Sequence, residues 1–335
     1  MAAAERRSRR AHAAYARQQE RAAMRRRKEL LAQQAAQNEF ERAQHQVQLF
    51  ENYLELLVSV HKDCSDPWRW DRIVVQPRPS EPQRSRAHEE AAQAAMLAYE
   101  PGFFARLFGG EKKRRLELES ALHHARAHDA QLHEQQLAQY RSACESWEWF
   151  HLVAQGILAR DPKAYRVALE HLVSLDEMEE QLGSSFTIRS IQREVAVLDC
   201  AVRGNELVPE EELSLGAKAK INHKKMAQGK YWALYQDHVC SCALRVGREV
   251  FALLPVERAF VNVGSTMVDS STGHPTMTTF LAVHFLRTKL QSLNFERIDP
   301  SDAMKNFDHR MSFKKTSGFV GVEPMNGDEQ FVSTG

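Results

Sequence analysis

The sequence has no run of apolar residues long enough to cross a membrane. A membrane-spanning helix needs roughly 20 consecutive apolar residues, and polar or charged residues interrupt every apolar stretch of this chain before that length. The first residues also lack the apolar core of a secretory signal, since Arg and Glu occur among them. We therefore expect a cytoplasmic protein without a membrane span.

Cysteine is scarce and irregularly placed. There are five cysteines, an odd number, and only Cys240 and Cys242 lie close together. A C-x-C pair without a second pair of ligands does not make a zinc site, and scattered cysteines do not make a disulfide framework. This usage is typical of a protein in a reducing compartment.

The motifs of common active sites are lacking as well. The chain contains no G-x-x-x-x-G-K-[ST], G-x-G-x-x-G or H-E-x-x-H, and no G-x-S-x-G. These absences favour a protein without catalytic activity, and they give no reason to expect a cofactor or a bound metal.

The charge that the sequence does carry is unevenly distributed. The whole chain has a formal charge of +1, but its first 30 residues contain ten Lys or Arg against three Glu. Such a basic arm can bind nucleic acid, because phosphate contacts release counterions. The solvated beginning of a helix is the alternative. The candidate nucleic-acid contacts are Arg6, Arg7, Arg9, Arg10, Arg25, Arg26, Arg27 and Lys28.

The chain from Ala11 to about Lys62 contains neither Gly nor Pro, and its Ala, Gln, Glu and Arg content predicts one long helix. Its second part has apolar residues at alternating steps of three and four, which is a heptad seam that buries a stripe against another helix. The seam consists of Phe40, Ala43, Val47, Phe50, Leu54, Leu57 and His61.

A connector rich in proline and tryptophan follows this helix, over residues 64–85. Four prolines end the helix, because proline cannot continue it. Trp68, Trp70, Ile73 and Val74 are too apolar for a free linker. We expect them to dock on the protein's own helices, with a partner site as the alternative.

Three further helices are predicted, one from near Ser85, one over Glu111–Ala159, and one that begins at Asp161-Pro162 and ends at Leu182. The second has its own heptad seam, and the two seams of the chain predict an antiparallel helical hairpin or a coiled-coil dimer. Self-association or a protein partner at the seams follows from this pattern. The second seam consists of Leu137, Tyr140, Cys144, Trp147, His151, Ala154 and Leu158.

The stretch "EPGFFARLFGGEKKRRLELE", Glu100 to Glu119, places an apolar turn before a basic cluster. An interfacial membrane helix needs a longer apolar face than one turn, so we expect a corner between two helices. Membrane contact through Phe103, Phe104, Leu107 and Phe108 is the alternative.

The C-terminal part has the pattern of a small α+β domain. Residues 193–202 predict a strand buried on both faces, residues 204–216 a loop, and residues 224–254 a long buried helix. Residues 258–287 predict a β-hairpin, followed by short helices and an edge strand. The predicted fold class is α+β, mainly α, divided into residues 1–63, 64–85, 86–183, 184–324 and a flexible tail of 325–335.

Three groups of residues have the residue types of a reactive site. A metal site is suggested by four histidines, His123, His124, His128 and His133. Their spacing does not keep all four on one face of a helix, so a solvated helix surface is favoured. The residue types of a catalytic triad occur within one turn, at Asp269, Ser271 and His274. Side chains so close in sequence seldom point at a common centre. Glu194 and Asp199 lack the lysine of a restriction-nuclease centre.

A mixture of polar and basic residues near the C-terminus indicates an anion or phosphate pocket as a further hypothesis. Capping and ordinary surface charge are the alternative explanation. The candidates are Asn262, Ser265, Thr266, His309, Arg310, Lys314 and Lys315.

The sequence as a whole favours a non-catalytic assembly or scaffold protein, in which a coiled-coil stalk presents an α+β module. A nucleic-acid-associated protein that uses its basic arm is one alternative. An enzyme or binding module for a phosphorylated or nucleotide ligand is the other.

Overall fold

The computed structural model describes residues 2–102, 110–173, 176–217, 220–268 and 272–328. Contacts divide the chain into two units. The α+β unit combines Met1–Pro67 with Leu169–Gly335, and the helical unit is Trp68–Ala168. The first long helix of the sequence therefore groups with the C-terminal α+β region.

Helices account for most of the regular structure, as the sequence predicts. Those that precede the first strand are α1 (Ala2–Ser59), α2 (Trp70–Ile73), α3 (Ala87–Leu97), α4 (Gly110–Leu158), α5 (Pro162–Leu172) and α6 (Asp176–Leu182). The later helices are α7 (Gln228–Leu253), α8 (Arg287–Gln291) and α9 (Pro300–Ala303).

Eight strands are present in the described part of the chain. The first four are β1 (Ser185–Ile191), β2 (Val195–Ala201), β3 (Glu211–Leu215) and β4 (Ile221–Lys225). The others are β5 (Arg258–Val268), β6 (Pro275–Leu286), β7 (Asp308–Lys314) and β8 (Gly318–Val320).

Six of these strands form one sheet in the order β1-β2-β5-β6-β7-β8. The β2–β5 pair is parallel and the other pairs are antiparallel. Parallel neighbours need a long crossover connection, and α7 is the helix of this crossover. Strands β3 and β4 form a separate hairpin inserted before α7.

Helix α7 is buried along most of its length, because it packs both against the sheet and against α1. Small residues permit the close approach: Cys240, Ser241, Cys242 and Ala243 are fully buried. At Gly247 a Cβ atom would lie only 2.7 Å from the ring of Phe285. The sequence prediction of a buried helix here is confirmed.

The C-terminal segment covers part of the opposite face of the sheet. Met325 is buried in a cluster with Val195, Val197, Phe260 and Ala282. Asn262 holds the backbone of Met325 at both ends, since its Oδ1 accepts from the amide at 2.8 Å and its Nδ2 donates to the carbonyl at 3.1 Å. The packed chain therefore continues into the predicted tail of 325–335.

The C-terminal third of α1 is anchored in the α+β unit. Helix α1 packs on α7 and β3. The amide of His61 donates to Ser241 Oγ at 2.9 Å, and the Nδ1 atom of buried His238 lies 3.1 Å from the Leu57 carbonyl oxygen. The Tyr53 hydroxyl donates to the carbonyl oxygen of Leu207 at 2.8 Å. The predicted seam thus faces the α+β unit, and its pairing with the second seam stays a prediction.

The connector docks on a helix of the protein, as predicted. Trp70 is buried, and the rings of Trp68 and Phe150 stack with centroids 6.1 Å apart. The indole of Trp147 donates to the Gln76 carbonyl oxygen at 2.9 Å. Helix α4 also packs along α3, so the helical unit has its own helix-helix contacts.

Four predicted boundaries need correction. Residues 211–215 are strand β3 and not loop, and Lys224 lies in β4, so that α7 begins only at Gln228. Strand β1 was not predicted. The single helix expected after Asp161 is described as α5 and α6. Among the described helices, none has the length and apolar composition that a membrane span requires.

Candidate functional site

A cavity of about 210 Å³ lies in the α+β unit, beside the first turns of α7. Four aromatic side chains and several small polar ones surround it. Its described lining residues are Gly204, Asn205, Glu206, Trp232, Tyr235, Ser265, Thr266, Met267, Phe280, Ser317 and Phe319.

The aromatic rings of this cavity contact one another in a continuous series. Phe280 and Phe319 stack with centroids 5.2 Å apart, and Phe319 meets Tyr235 edge-to-face at 5.8 Å. The ring centroids of Trp232 and Tyr235 lie 6.3 Å apart, and these rings also meet edge-to-face. Such pairs favour offset or edge-to-face geometry, which fixes the orientation of the walls.

Local sequence explains why the rings converge. Trp232 and Tyr235 are three residues apart on α7 and therefore share a face. Phe319 lies on β8 and directly follows Gly318, whose backbone φ is +80°. A Cβ atom at Gly318 would lie 2.4 Å from the Trp232 ring, so only glycine permits both this backbone conformation and the contact.

Hydrogen bonds fix the loop at the mouth of the cavity. The Tyr235 hydroxyl donates to the Arg203 carbonyl oxygen at 2.9 Å, and the Tyr231 hydroxyl to that of Asn205 at 2.6 Å. The bond from Tyr53 of α1 to Leu207 joins the same loop. Helix α1 is therefore hydrogen-bonded to the loop whose residues Gly204, Asn205 and Glu206 line the cavity.

The electrostatic environment is acidic. Glu206 is the charged residue among the described lining residues, and Lys, Arg and His are missing from that set. Burial raises the pKa of Tyr235, and the nearby Glu206 carboxylate adds to the increase. Aromatic faces with a carboxylate favour an apolar, aromatic or cationic group and disfavour an anion.

A cysteine–histidine pair in α7 has the proximity but not the ionisation of a nucleophilic centre. Cys242 Sγ lies 3.7 Å from His238 Nε2. Burial raises the pKa of Cys242 well above its ordinary value and lowers that of His238 to about 4. Since a reactive cysteine needs a depressed pKa, this pair is a packing contact.

The anion candidates are distributed over three places. Ser265 and Thr266 line the aromatic cavity. Asn262 is buried on the sheet and holds Met325, while Arg310 donates to the Pro324 carbonyl oxygen at 3.1 Å. The Nδ1 atom of His309 lies 3.0 Å from the Phe307 carbonyl oxygen, and Lys314 and Lys315 are exposed. No described cavity collects all seven, and anion binding by them stays a prediction.

One titratable group was missed by the sequence reasoning. Burial raises the pKa of Asp237 to about 6, and the carboxylates of Asp299 and Asp302 add to this. The Asp299 side chain accepts the amide of Asp302 at 2.9 Å and caps α9. The signal in the sequence was an acidic residue between the buried positions Tyr235 and Val239 of α7.

The helical unit brings together histidines that the sequence could not associate. His88 of α3 meets His128 and Asp129 of α4. His124 lines the same open cavity as His88 and His128, whereas His123 is not among its described lining residues. Only the tertiary contact of α3 with α4 places His88 in this group.

Several predicted site residues lie outside the described part of the structure. The side chains of Arg6, Arg7, Arg9, Arg10 and Arg25–Arg27 belong to this set, and Lys28 is described as exposed. The same is true of Phe103, Phe104, Leu107 and Phe108, and of Asp269 and Ser271, while His274 is exposed.

Comparison with protein-family models, with curated proteins and with solved structures found no match.

Proposed function

We propose that this chain is a non-catalytic assembly protein, in which α1 holds the α+β unit on a larger assembly. The observation that carries the proposal is the division of α1 into two parts. Its residues from Ala43 onward contribute to the packed α+β unit, whereas every residue from Leu30 to Arg42 is exposed.

The anchored part supports a fixed attachment of the helix to the unit. Arg248 donates to the carbonyl oxygens of His61 and Lys62, just beyond the end of α1, and its guanidinium lies 4.0 Å from the Phe295 ring centroid. Charge-assisted bonds of this kind are stronger than neutral ones. An arm fixed at one end and exposed further along is suited to holding two bodies together.

The exposed part supports association with another helix. An isolated helix in water is marginally stable, because most helical stability in proteins comes from tertiary packing. Leu30 and Leu31 are more than half exposed, and Phe40, the first residue of the heptad seam, is 44% exposed. A second copy of this chain, packed along residues 30–42 as a coiled coil, would bury these side chains.

The aromatic cavity provides the recognition element of this proposal. Its walls and Glu206 favour a cationic or aromatic side chain of a partner, and its mouth is attached to α1 through Tyr53. This geometry supports binding of such a group more than binding of the phosphorylated ligand that the sequence suggested.

Sedimentation equilibrium of the full chain tests the assembly proposal. We expect self-association that Phe40→Glu weakens at least tenfold, because a buried carboxylate replaces an apolar contact. Gln34→Glu adds the same charge at an exposed position of the same helix and is the matched control. A single monomeric mass at all concentrations, or equal association of both variants, would contradict the proposal.

Nucleic-acid binding is a second candidate, favoured by the placement of the ten basic residues of the arm in α1. Its affinity should fall steeply with salt, because each neutralised phosphate releases counterions. Fluorescence anisotropy with a labelled duplex measures this slope. Deletion of residues 1–30 should abolish binding, and unchanged affinity after the deletion would remove this candidate.

A further inference from the structure

Helices α3 and α4 meet at a group of four side chains that the proposed function does not use. Asp129 projects from the middle of α4 and is only 3% exposed. Its Oδ1 atom lies 2.7 Å from the Nδ1 atom of His88, and its Oδ2 atom accepts the amide of Glu89 at 2.9 Å. One carboxylate thus positions a histidine and also caps the first turn of α3.

Two more imidazoles lie at the same place. The ring of His128 lies 4.5 Å from that of His88, and the two rings are inclined by 69°. One ligand atom each from His88, His128 and Asp129 lies within 4.8 Å of the other two. His124 precedes His128 by four residues, which places both on one face of α4, and it lines the same open cavity of about 640 Å³.

The arrangement differs from an ordinary solvated helix face. A carboxylate removed from water is unfavourable unless it is paired, and capping of α3 uses only one of the two oxygens of Asp129. The other oxygen orients an imidazole. A carboxylate bound to a histidine ring nitrogen is the usual support of a metal-ligating histidine, since it fixes the orientation of the ring.

We propose that His88, His124 and His128 bind one divalent transition-metal ion, such as Zn²⁺, and that Asp129 holds the His88 ring in position. Imidazole ligands suit zinc, copper and nickel, and a zinc ion takes four ligands at about 2 Å, one of which can be water. A bound ion would connect α3 to α4.

The surrounding charges permit a cation at this site. Arg86 and Arg126, each two residues from a proposed ligand in the sequence, both pair with Glu89, at 3.5 and 2.8 Å. Their charge is therefore directed to another carboxylate, and the histidines remain accessible because His88, His124 and His128 are all exposed.

Isothermal titration of the metal-free full chain with Zn²⁺ at pH 7.5 tests the proposal. We expect one ion per chain, and an affinity at least tenfold lower in His88→Ala and in His128→Ala. His123→Ala is the matched control, because this exposed histidine adjoins His124 but is not among the described lining residues. Its affinity should equal that of the unchanged chain.

Absorption of bound Co²⁺ provides a second measurement that does not depend on heat. The unchanged chain should give the visible bands of a low-coordinate cobalt ion, and Asp129→Asn should shift or weaken them while circular dichroism shows unchanged helix content. Absence of zinc binding at millimolar zinc overturns the proposal. Equal affinity of the His88, His128 and His123 variants also overturns it, whether all bind as tightly as the unchanged chain or all lose affinity together.

Discussion

At the scale of single residues, His238 couples the packing of α1 to pH. It is fully buried in α7, next to the Leu57 carbonyl oxygen, and burial lowers its pKa to about 4. The ordinary histidine pKa is about 6.5, so between these two values the unfolded chain binds a proton that the folded chain does not. The stability that His238 contributes is therefore complete above pH 6.5 and is lost as the pH falls towards 4.

This linkage predicts a loss of about 2–3 kcal/mol of unfolding free energy between pH 7.5 and pH 4.5 from His238 alone. His238→Gln removes the titrating group, so the variant should lose correspondingly less over the same interval than the unchanged chain. Urea unfolding at the two pH values measures the difference. Identical pH dependence of the two proteins would show that the ring is accessible to protons in the folded state.

Gly318 shows how one residue determines the shape of the aromatic cavity. Gly318→Ala places a methyl group against Trp232 at a left-handed backbone position, and we expect destabilisation by about 2 kcal/mol or more. Gly229→Ala is the control, because it lies in α7 with open space around the new methyl group and should be neutral or stabilising. Thermal unfolding of both variants measures the contrast, which equal melting temperatures would contradict.

At the scale of elements, the predictable parts are those in which burial imposes a pattern. Strand β2, the β5–β6 hairpin and α7 are rich in apolar residues that are buried, and each was predicted within a few residues. The β3–β4 hairpin was missed because it is polar and exposed on most positions. Its signal was complementary charge, since Glu211 lies opposite Lys225 and Glu212 opposite Lys224.

The candidate sites were less predictable, because they depend on contacts between distant elements. Ser265 and Thr266 were identified, but the aromatic walls come from α7, β6 and β8. His124 and His128 are four residues apart on one helix, but His88 lies on another helix, 41 residues before Asp129 in the sequence. Spacing within one element cannot identify the residue that another element contributes.

The anchor of α1 predicts a second element-scale effect. Arg248→Ala removes the donor to the His61 and Lys62 carbonyl oxygens and the contact with Phe295, so amides near the end of α1 should exchange at least tenfold faster. Arg297→Ala, at an exposed position two residues from Phe295, is the control. Hydrogen–deuterium exchange of the peptide covering residues 50–62 measures the effect, and equal rates in both variants would contradict this role of Arg248.

At the scale of the whole molecule, the sequence identifies the buried face of α1 but not its partner. A heptad seam predicts that a stripe is covered, and another helix with a matching seam was the simplest partner. In the structure the α+β unit contacts this part of α1, through α7 and β3. A helix that belongs to a folded unit at one end and is exposed further along is the basis of the proposed assembly role.

The most direct test of this account is hydrogen–deuterium exchange along α1 at low and high protein concentration. Residues 43–61 should be protected at both concentrations, because they belong to the folded unit. Residues 30–42 should exchange fast when the chain is dilute and become protected only when it is concentrated. Protection of residues 30–42 that does not change with concentration, or fast exchange of residues 43–61, would contradict the account.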